Sequence, residues 1–247
     1  MQRVSIRVLG CGDAFGSGGR MQTSFFVSSG GDRFLIDCGA SALVAMRRYE
    51  VEPETIDAVL LSHLHGDHFG GLPFLLLQAH YIARRTRPLI IAGPAGTEAR
   101  LLDALEVLFP GSSELQWRFP LDFVELRPDE ATQINAITVR AFPVEHPSGA
   151  PSLGLRIGLE GRVIGYSGDT RWTGALVDVA READLFLCEC YGYNDKIDHH
   201  LNYTTLMARL PELRPKRLVL THMSDAMLAR LDQAAVETAE DGMLLEV

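Results

Sequence analysis

Within six residues the chain sets three imidazoles and one carboxylate: His63, His65, Asp67 and His68. A divalent ion in a catalytic site takes roughly three protein ligands and keeps one position for water. Four ligands on one loop exceed what one such ion uses. The spacing therefore predicts two metals, with His63 and His65 on one and Asp67 and His68 on the other. The apolar run Ala58-Val59-Leu60-Leu61-Ser62 ahead of the loop reads as a buried strand. Gly70-Gly71-Leu72-Pro73 behind it reads as the entry to a helix. The ligands would then sit at a strand's C-terminal end, where open α/β folds place their sites.

The same arrangement recurs downstream. Apolar strands are expected to end at Asp169 and at His222, and His146 follows a strand by a few residues. Alternation and turn residues predict strands over 3–9, 89–92, 137–142, 185–189, 217–220 and 243–247. Hairpins are expected over 25–37, turning at Gly30-Gly31, and over 153–167, turning at Glu160-Gly161. Helices are expected over 42–49, 71–85, 97–108, 174–180 and 204–210, with a last one near 236–241. The stretch 111–135 promises short strands at best. No linker or low-complexity segment divides the chain, so 1–247 is read as one α/β domain, two sheets packed together with helices outside.

Hydrophobic content of 47% over 247 residues supports a large core. A net charge of −9 argues against broad electrostatic binding of nucleic acid, so no stable nucleic-acid partner is expected. Two basic groups, Arg84-Arg85-Arg87 and Arg214-Lys216-Arg217, read as solvated helix faces. No apolar run reaches the roughly 18 residues of a membrane span. The first residues, Met1 to Ile6, enter strand-like alternation without a signal-peptide core. A cytoplasmic location follows, and with it four reduced thiols, Cys11, Cys38, Cys188 and Cys190.

Taken in order, Asp37, the His63–His68 motif, His146, Asp169 and His222 resemble the metallo-β-lactamase superfamily, whose fold is an αβ/βα sandwich. The resemblance implies one metal held by His63, His65 and His146, a second held by Asp67, His68 and His222, and Asp169 bridging them. Val8-Leu9-Gly10-Cys11-Gly12-Asp13-Ala14, Arg20-Met21-Gln22-Thr23-Ser24, Gly168-Asp169-Thr170 and Leu220-Thr221-His222-Met223-Ser224 are similar to the ribonuclease Z-like branch. That branch cleaves phosphodiesters and carries a further His that opens a helix before the final strand. His200-Leu201-Asn202-Tyr203-Thr204 occupies that place. This segment and the ending Asp241 to Val247 look most like the phosphodiesterase of the carbon–phosphorus lyase pathway. The interval from His146 to Asp169 has room for one hairpin and none for the tRNA-gripping arm of ribonuclease Z. The structural zinc site of the carbon–phosphorus enzyme has no counterpart among the Cys and His residues here.

The resemblance implies a metal-dependent hydrolase that attacks a small or nucleotide-like phosphodiester with a hydroxide held between two divalent ions. Zinc is expected from the imidazole-rich ligands, with manganese as the alternative where carboxylates share the site. Asp67 and Asp169 would partly neutralise the ions and orient that hydroxide. His200 would act as general acid or stabilise phosphoryl charge, a role for which its neighbour His199 has a weaker claim. Asp37 is expected to brace the metal loop. Asp13 and Glu189 would orient a ligand or cap a turn, and Arg20 and Arg171 would hold a substrate phosphate. His80 reads as a packing residue. Relatives imply a homodimer. Ester, lactone or thioester hydrolysis and ribonuclease Z-like RNA cleavage remain the alternatives on the same residues. His65, where redox relatives place Glu, argues against a di-iron oxidoreductase, and the complete ligand set argues against a silent scaffold.

Overall fold

In the computed structural model, residues 3–128, 130–195 and 197–247 are described. Met1 and Gln2, at the head of the expected N-terminal alternation, lie outside them. Burial alternates in the first half of β1 (Ser5–Gly10) and through most of β2 (Ser24–Ser29), and becomes complete toward the ends of β1 and β3 (Asp32–Ile36), where helices cover the outer face. β4 (Ala58–Leu60) is buried throughout, as a parallel strand covered on both faces must be. With β5 (Leu89–Gly93), β6 (Leu121–Glu125) and the C-terminal β14 (Leu244–Glu246) these build a seven-stranded sheet ordered β14-β1-β2-β3-β4-β5-β6.

The second half repeats the plan. β7 (Ala131–Ile134), β8 (Ile137–Val144), β9 (Ser152–Leu159), β10 (Arg162–Tyr166), β11 (Leu185–Glu189), β12 (Leu218–Thr221) and β13 (Glu237–Thr238) form a seven-stranded sheet ordered β13-β12-β11-β10-β9-β8-β7. The inner faces meet in one core that includes Phe25, Phe34, Ile36 and Leu60 from the first sheet and Val139, Leu155, Tyr166 and Val219 from the second. Helices α1 (Ala42–Arg48), α3 (Leu72–Leu77) and α4 (Thr97–Leu108) cover the first sheet. On the outer face of the second lie α5 (Ala175–Ala180), α6 (Tyr203–Leu213) and α7 (Asp225–Leu228). A single turn, α2 (Gly66–Phe69), carries part of the metal motif. This is the layered sandwich of the metallo-β-lactamase fold.

Two expectations change. The helix foreseen over 71–85 forms over 72–82, but α3 passes into a π-helical segment over Gln78–Ile82. No helix forms near 236–241. That stretch supplies β13, and Ala239 is wholly buried in the core between the sheets. Pairing with β12 supplies its backbone partners instead, and Ala239 N donates to the Leu220 carbonyl at 2.8 Å. β6 and β7, from the poorly patterned stretch 111–135, each close one sheet edge. The β9–β10 hairpin fills the interval between His146 and Asp169. All four cysteines are buried and free, in accord with the reading of reduced thiols.

Candidate metal centre

The strand ends converge on one side of the sandwich. His63 and His65 lie in the turn after β4, and Asp67 and His68 on α2. Asp169 follows β10, His222 follows β12, and His146 lies just past β8. Gly168 takes a left-handed φ of 57° and lies 2.7 Å, at a notional Cβ, from the Leu153 carbonyl. Only glycine makes that turn into Asp169 without a clash.

Two ligand groups assemble, one of His63, His65 and His146, the other of Asp67, His68, Asp169 and His222. The structure thus brings together all seven residues singled out as metal ligands. Asp169 faces both groups. Its Oδ2 lies 3.8 Å from His63 Nε2, 3.9 Å from His146 Nε2 and 3.2 Å from His222 Nε2, while its Oδ1 lies 3.2 Å from His68 Nε2.

The outer nitrogens of the imidazoles decide whether the inner ones are free to bind a cation. Ser62 Oγ donates to Asp37 Oδ2 at 2.7 Å, so its lone pair accepts from His63 Nδ1 at 3.0 Å. His68 Nδ1 donates to Asp37 Oδ2 at 2.7 Å, and His146 Nδ1 donates to the His199 carbonyl at 3.0 Å. Each of these bonds places the proton on Nδ1 and leaves the Nε2 lone pair directed inward. Accordingly, buried His63 Nε2, His68 Nε2 and Asp169 Oδ1 have no hydrogen-bond partner. Buried polar atoms without partners are costly, and convergent lone pairs of this kind fit divalent cations. His65 Nδ1 and His146 Nε2 face each other at 3.0 Å, both aimed at the same point.

Charge tells the same story. Burial drives the His63 imidazole well below its ordinary pKa, which keeps it neutral. Burial also opposes charge on His68, but Asp169, Asp67 and Asp37 outweigh it and raise that imidazole's pKa, so these carboxylates favour a positive charge at its Nε2, where a metal cation would take the place of a proton. Burial pushes the Asp67 and Asp169 carboxyls up, yet the surrounding imidazoles win and keep both ionised. The pocket is built to surround positive charge.

One family model, described as Anti-Pycsar protein Apyc1, matches residues 4–241. The chain belongs to the Anti-Pycsar protein Apyc1 family. Among proteins of known function it is similar to the ribonuclease Z of Lachnoclostridium phytofermentans, 28% identical over 90% of this chain and 88% of the relative. It is similar to the crystal structure of the short form of human tRNase Z, with TM-score 0.78, 27% identity and coverage of 98% of each chain. YhfI of Bacillus subtilis shares the fold at TM-score 0.79 and 22% identity, covering 99% of this chain and 100% of that one. This member of the Apyc1 family therefore lies in the ribonuclease Z-like branch of the metallo-β-lactamase superfamily and is a metal-dependent hydrolase of phosphodiesters.

Beside the ligands stands His200. Its Nδ1 lies 3.2 and 3.3 Å from the two carboxylate oxygens of Glu189, which is buried at the end of β11. Glu189 also accepts from the backbone of Leu201, at 3.1 Å, and of Thr170. The ring of Tyr191 stacks on His200 at 4.7 Å. Burial opposes charge on His200, but the Glu189 hydrogen bond together with the charges of Glu189 and Asp169 outweighs it and raises the imidazole's pKa. His199 contributes its carbonyl, at a left-handed φ of 68°, rather than its exposed side chain. Asp37 braces the loop as expected, also accepting from Ser62 N at 2.8 Å and Tyr166 Oη at 2.7 Å. Buried His80 packs against Trp117 at 5.6 Å.

Arg20 is not at the site. Its Nη1 donates to the Ala239 carbonyl at 2.6 Å and to Cys11 Sγ at 3.2 Å, because its loop turns toward the C-terminal segment. Arg171 pairs with Glu145 and borders a side groove that begins on the far side of His200. Asp13 holds its own loop by hydrogen bonds and orients no ligand. Two residues at the pocket had no place in the sequence reading: Phe15 and Tyr191. Neither falls in a motif. Tyr191 lies two residues past Glu189, and Phe15 lies in the glycine-rich turn after Asp13.

Proposed function

We propose that this protein is a binuclear phosphodiesterase acting on a small, nucleotide-like diester, with zinc as the resident metal and manganese as the alternative. What carries the reading is His200, held by Glu189 at the edge of a complete two-group ligand set. Two divalent ions, when bound, clamp the phosphoryl oxygens and lower the pKa of water toward about 7. His63, His65 and His146 would hold one, Asp67, His68 and His222 the other, with Asp169 shared. Asp67 and Asp169, both ionised, orient what binds between the groups.

Glu189 holds Nδ1 of His200 and raises the pKa of the ring, which favours its protonated form and leaves Nε2 turned to the pocket. From there it gives its proton to the departing alkoxide. The tyrosine ring stacked on it sets its plane. The net charge and the absence of an arm between His146 and Asp169 argue against long RNA as the substrate. An ester or lactone hydrolase would leave the Glu189–His200 pair without a task. Exposed Phe74, Tyr81, Ile82 and Val107, on and after α3 and on α4, supply apolar surface for a homodimer.

The test is turnover of bis(p-nitrophenyl) phosphate by zinc- and manganese-loaded protein, with His200→Ala beside it. The variant should lose about 10²- to 10⁴-fold in kcat on a diester that releases an alkoxide, the scale of general acid–base catalysis, and less on the p-nitrophenyl probe, whose leaving group needs no proton. Because the His200 pKa is raised above its ordinary value, wild-type kcat should fall as pH rises, and the inflection should lie higher than that of a free imidazole. Absence of turnover with two metals bound overturns the reading and makes lactones and thioesters the next substrates.

A further inference from the structure

Phe15 is 83% exposed, more than any other large hydrophobic side chain among the described residues. It nevertheless stands on a rigid support. Asp13, wholly buried, accepts from Phe15 N at 3.1 Å, from Ser17 N at 3.0 Å and from Ser17 Oγ at 2.7 Å. Gly16, with φ 73°, turns the chain between them. Gly18 N donates to Asp225 Oδ1 at 2.8 Å, which ties the loop to α7. The backbone is fixed on both sides of Phe15, while its ring is left in water. An exposed aromatic ring is ordinary in itself, but one held on a braced loop at the rim of the ligand pocket is placed where a ligand would cover it.

The pocket that Phe15 lines is about 340 Å³. That lies at the small end of the roughly 300–1,000 Å³ found for small-molecule sites. Its floor is imidazole and carboxylate: His65, Asp67, His146 and Asp169. Phe15 and Tyr191 are its only aromatic rings other than imidazoles, and Tyr191 already has a face against His200. The Phe15 loop is tied to Asp225, three residues past His222, whereas the side groove with Trp172 and His199 lies beyond His200. A departing alkoxide belongs beside His200. Phe15 then faces the part of the substrate that stays on the phosphate.

The geometry points to Phe15 as a stacking platform for a flat ring, a nucleobase, on the retained side of the diester. This rests on the phosphodiesterase reading and names the residue that would select its substrate. Stacking of a base on an aromatic side chain is sequence-tolerant and substantial, so the platform favours nucleotides without distinguishing strongly among bases.

Two probes with the same leaving group test it: thymidine 5′-(p-nitrophenyl phosphate) and methyl p-nitrophenyl phosphate. In metal-loaded full-length protein, Phe15→Ala should lower the ratio of kcat/KM for the nucleoside probe over the methyl probe by about 5- to 150-fold, the scale of one base–aromatic stack. The loss should appear in KM, and Phe15→Trp should restore it. An unchanged ratio overturns the proposal. So does an equal loss on both probes accompanied by a changed elution volume in gel filtration, which would make Phe15 an interface residue. A binding arm separates this from the parent reading. Thymidine 5′-monophosphate and inorganic phosphate are titrated calorimetrically into wild type and Phe15→Ala. If wild type hydrolyses neither probe, the phosphodiesterase reading falls. The platform then stands on weakened monophosphate binding with phosphate binding retained, and falls if the two ligands change together.

Discussion

The two sheets are built to one plan and deliver their ligands by two different means. Each has three antiparallel pairings followed by three parallel ones. In the first half, four candidate ligands come from the one stretch that follows β4. In the second, His146, Asp169 and His222 come from the ends of three strands, and His200 from the approach to α6. The comparison is sharpest at two carboxylates in equivalent places. Asp37 follows β3 and Asp169 follows β10, the last antiparallel strand of each half. Asp37 is consumed by Ser62, His68 and Tyr166. Asp169 Oδ1 has no hydrogen-bond partner and faces the ligand groups. One topological position therefore serves as a brace in one half and as an open ligand in the other. What decides the role is how many donors surround it: Ser62 after β4, His68 on α2 and Tyr166 on β10 of the facing sheet all reach Asp37.

Breaking the open carboxylate should have the larger effect. Asp169→Asn removes the negative charge that faces both ligand groups while keeping the side chain's size. Bound zinc, measured by plasma mass spectrometry after dialysis, should fall below two per chain. The value of kcat/KM on bis(p-nitrophenyl) phosphate should drop by about 10³-fold or more, since a catalytic metal supplies several kcal/mol of transition-state stabilisation. Full zinc content with near-wild-type turnover would show that Asp169 is not shared between the metals.

The brace should matter less, and in a different observable. Asn tolerates the left-handed backbone of Asp37, φ 56°, and so tests the carboxylate rather than the turn. Its amide can no longer accept from all the donors, so His68 loses the fixed acceptor that sets its tautomer. In Asp37→Asn, metal affinity should fall about 10- to 100-fold, and kcat should recover largely at saturating zinc. A loss of kcat that zinc cannot restore would place Asp37 in the chemistry instead of behind it.

The same contrast explains what the sequence revealed. His63 to His68 needed no topology, because the spacing of four ligands is itself the signal. His146, Asp169 and His222 were legible one level up, as polar residues closing apolar runs. Beyond that the signal thins. Glu189 could be seen to end a strand, but its grip on His200 depends on a loop returning across β11. Phe15 was invisible, because an exposed aromatic in a glycine-rich turn has no periodicity to mark it. The helix expected near 236–241 failed for a related reason. Its apolar residues pack in two different places, Val236 against the cluster outside the second sheet and Ala239 in the core between the sheets.

Arg20 supplies the smallest kinetic effect and the cleanest separation between holding the halves together and doing chemistry. The segment after β13 leaves the second sheet, where Ala239 N bonds the Leu220 carbonyl at 2.8 Å, and enters the first, where Gly242 N bonds the Val8 carbonyl at 2.7 Å. Arg20 holds this crossing through the Ala239 carbonyl, and Asp241 holds it through the backbone of Cys11 and Met21 at 3.0 and 2.7 Å. Losing a charged hydrogen bond of this kind costs about 1.5–3 kcal/mol. In a chain of this length each kcal/mol lowers Tm by roughly 2–4 °C. Arg20→Met should therefore melt about 3–12 °C lower by differential scanning calorimetry, with kcat/KM on either phosphodiester probe within about twofold of wild type at 25 °C, a size typical of positions away from the chemistry. Its side chain points away from the ligand groups, so a drop in turnover without a drop in Tm would mean that the loop also moves to meet the substrate.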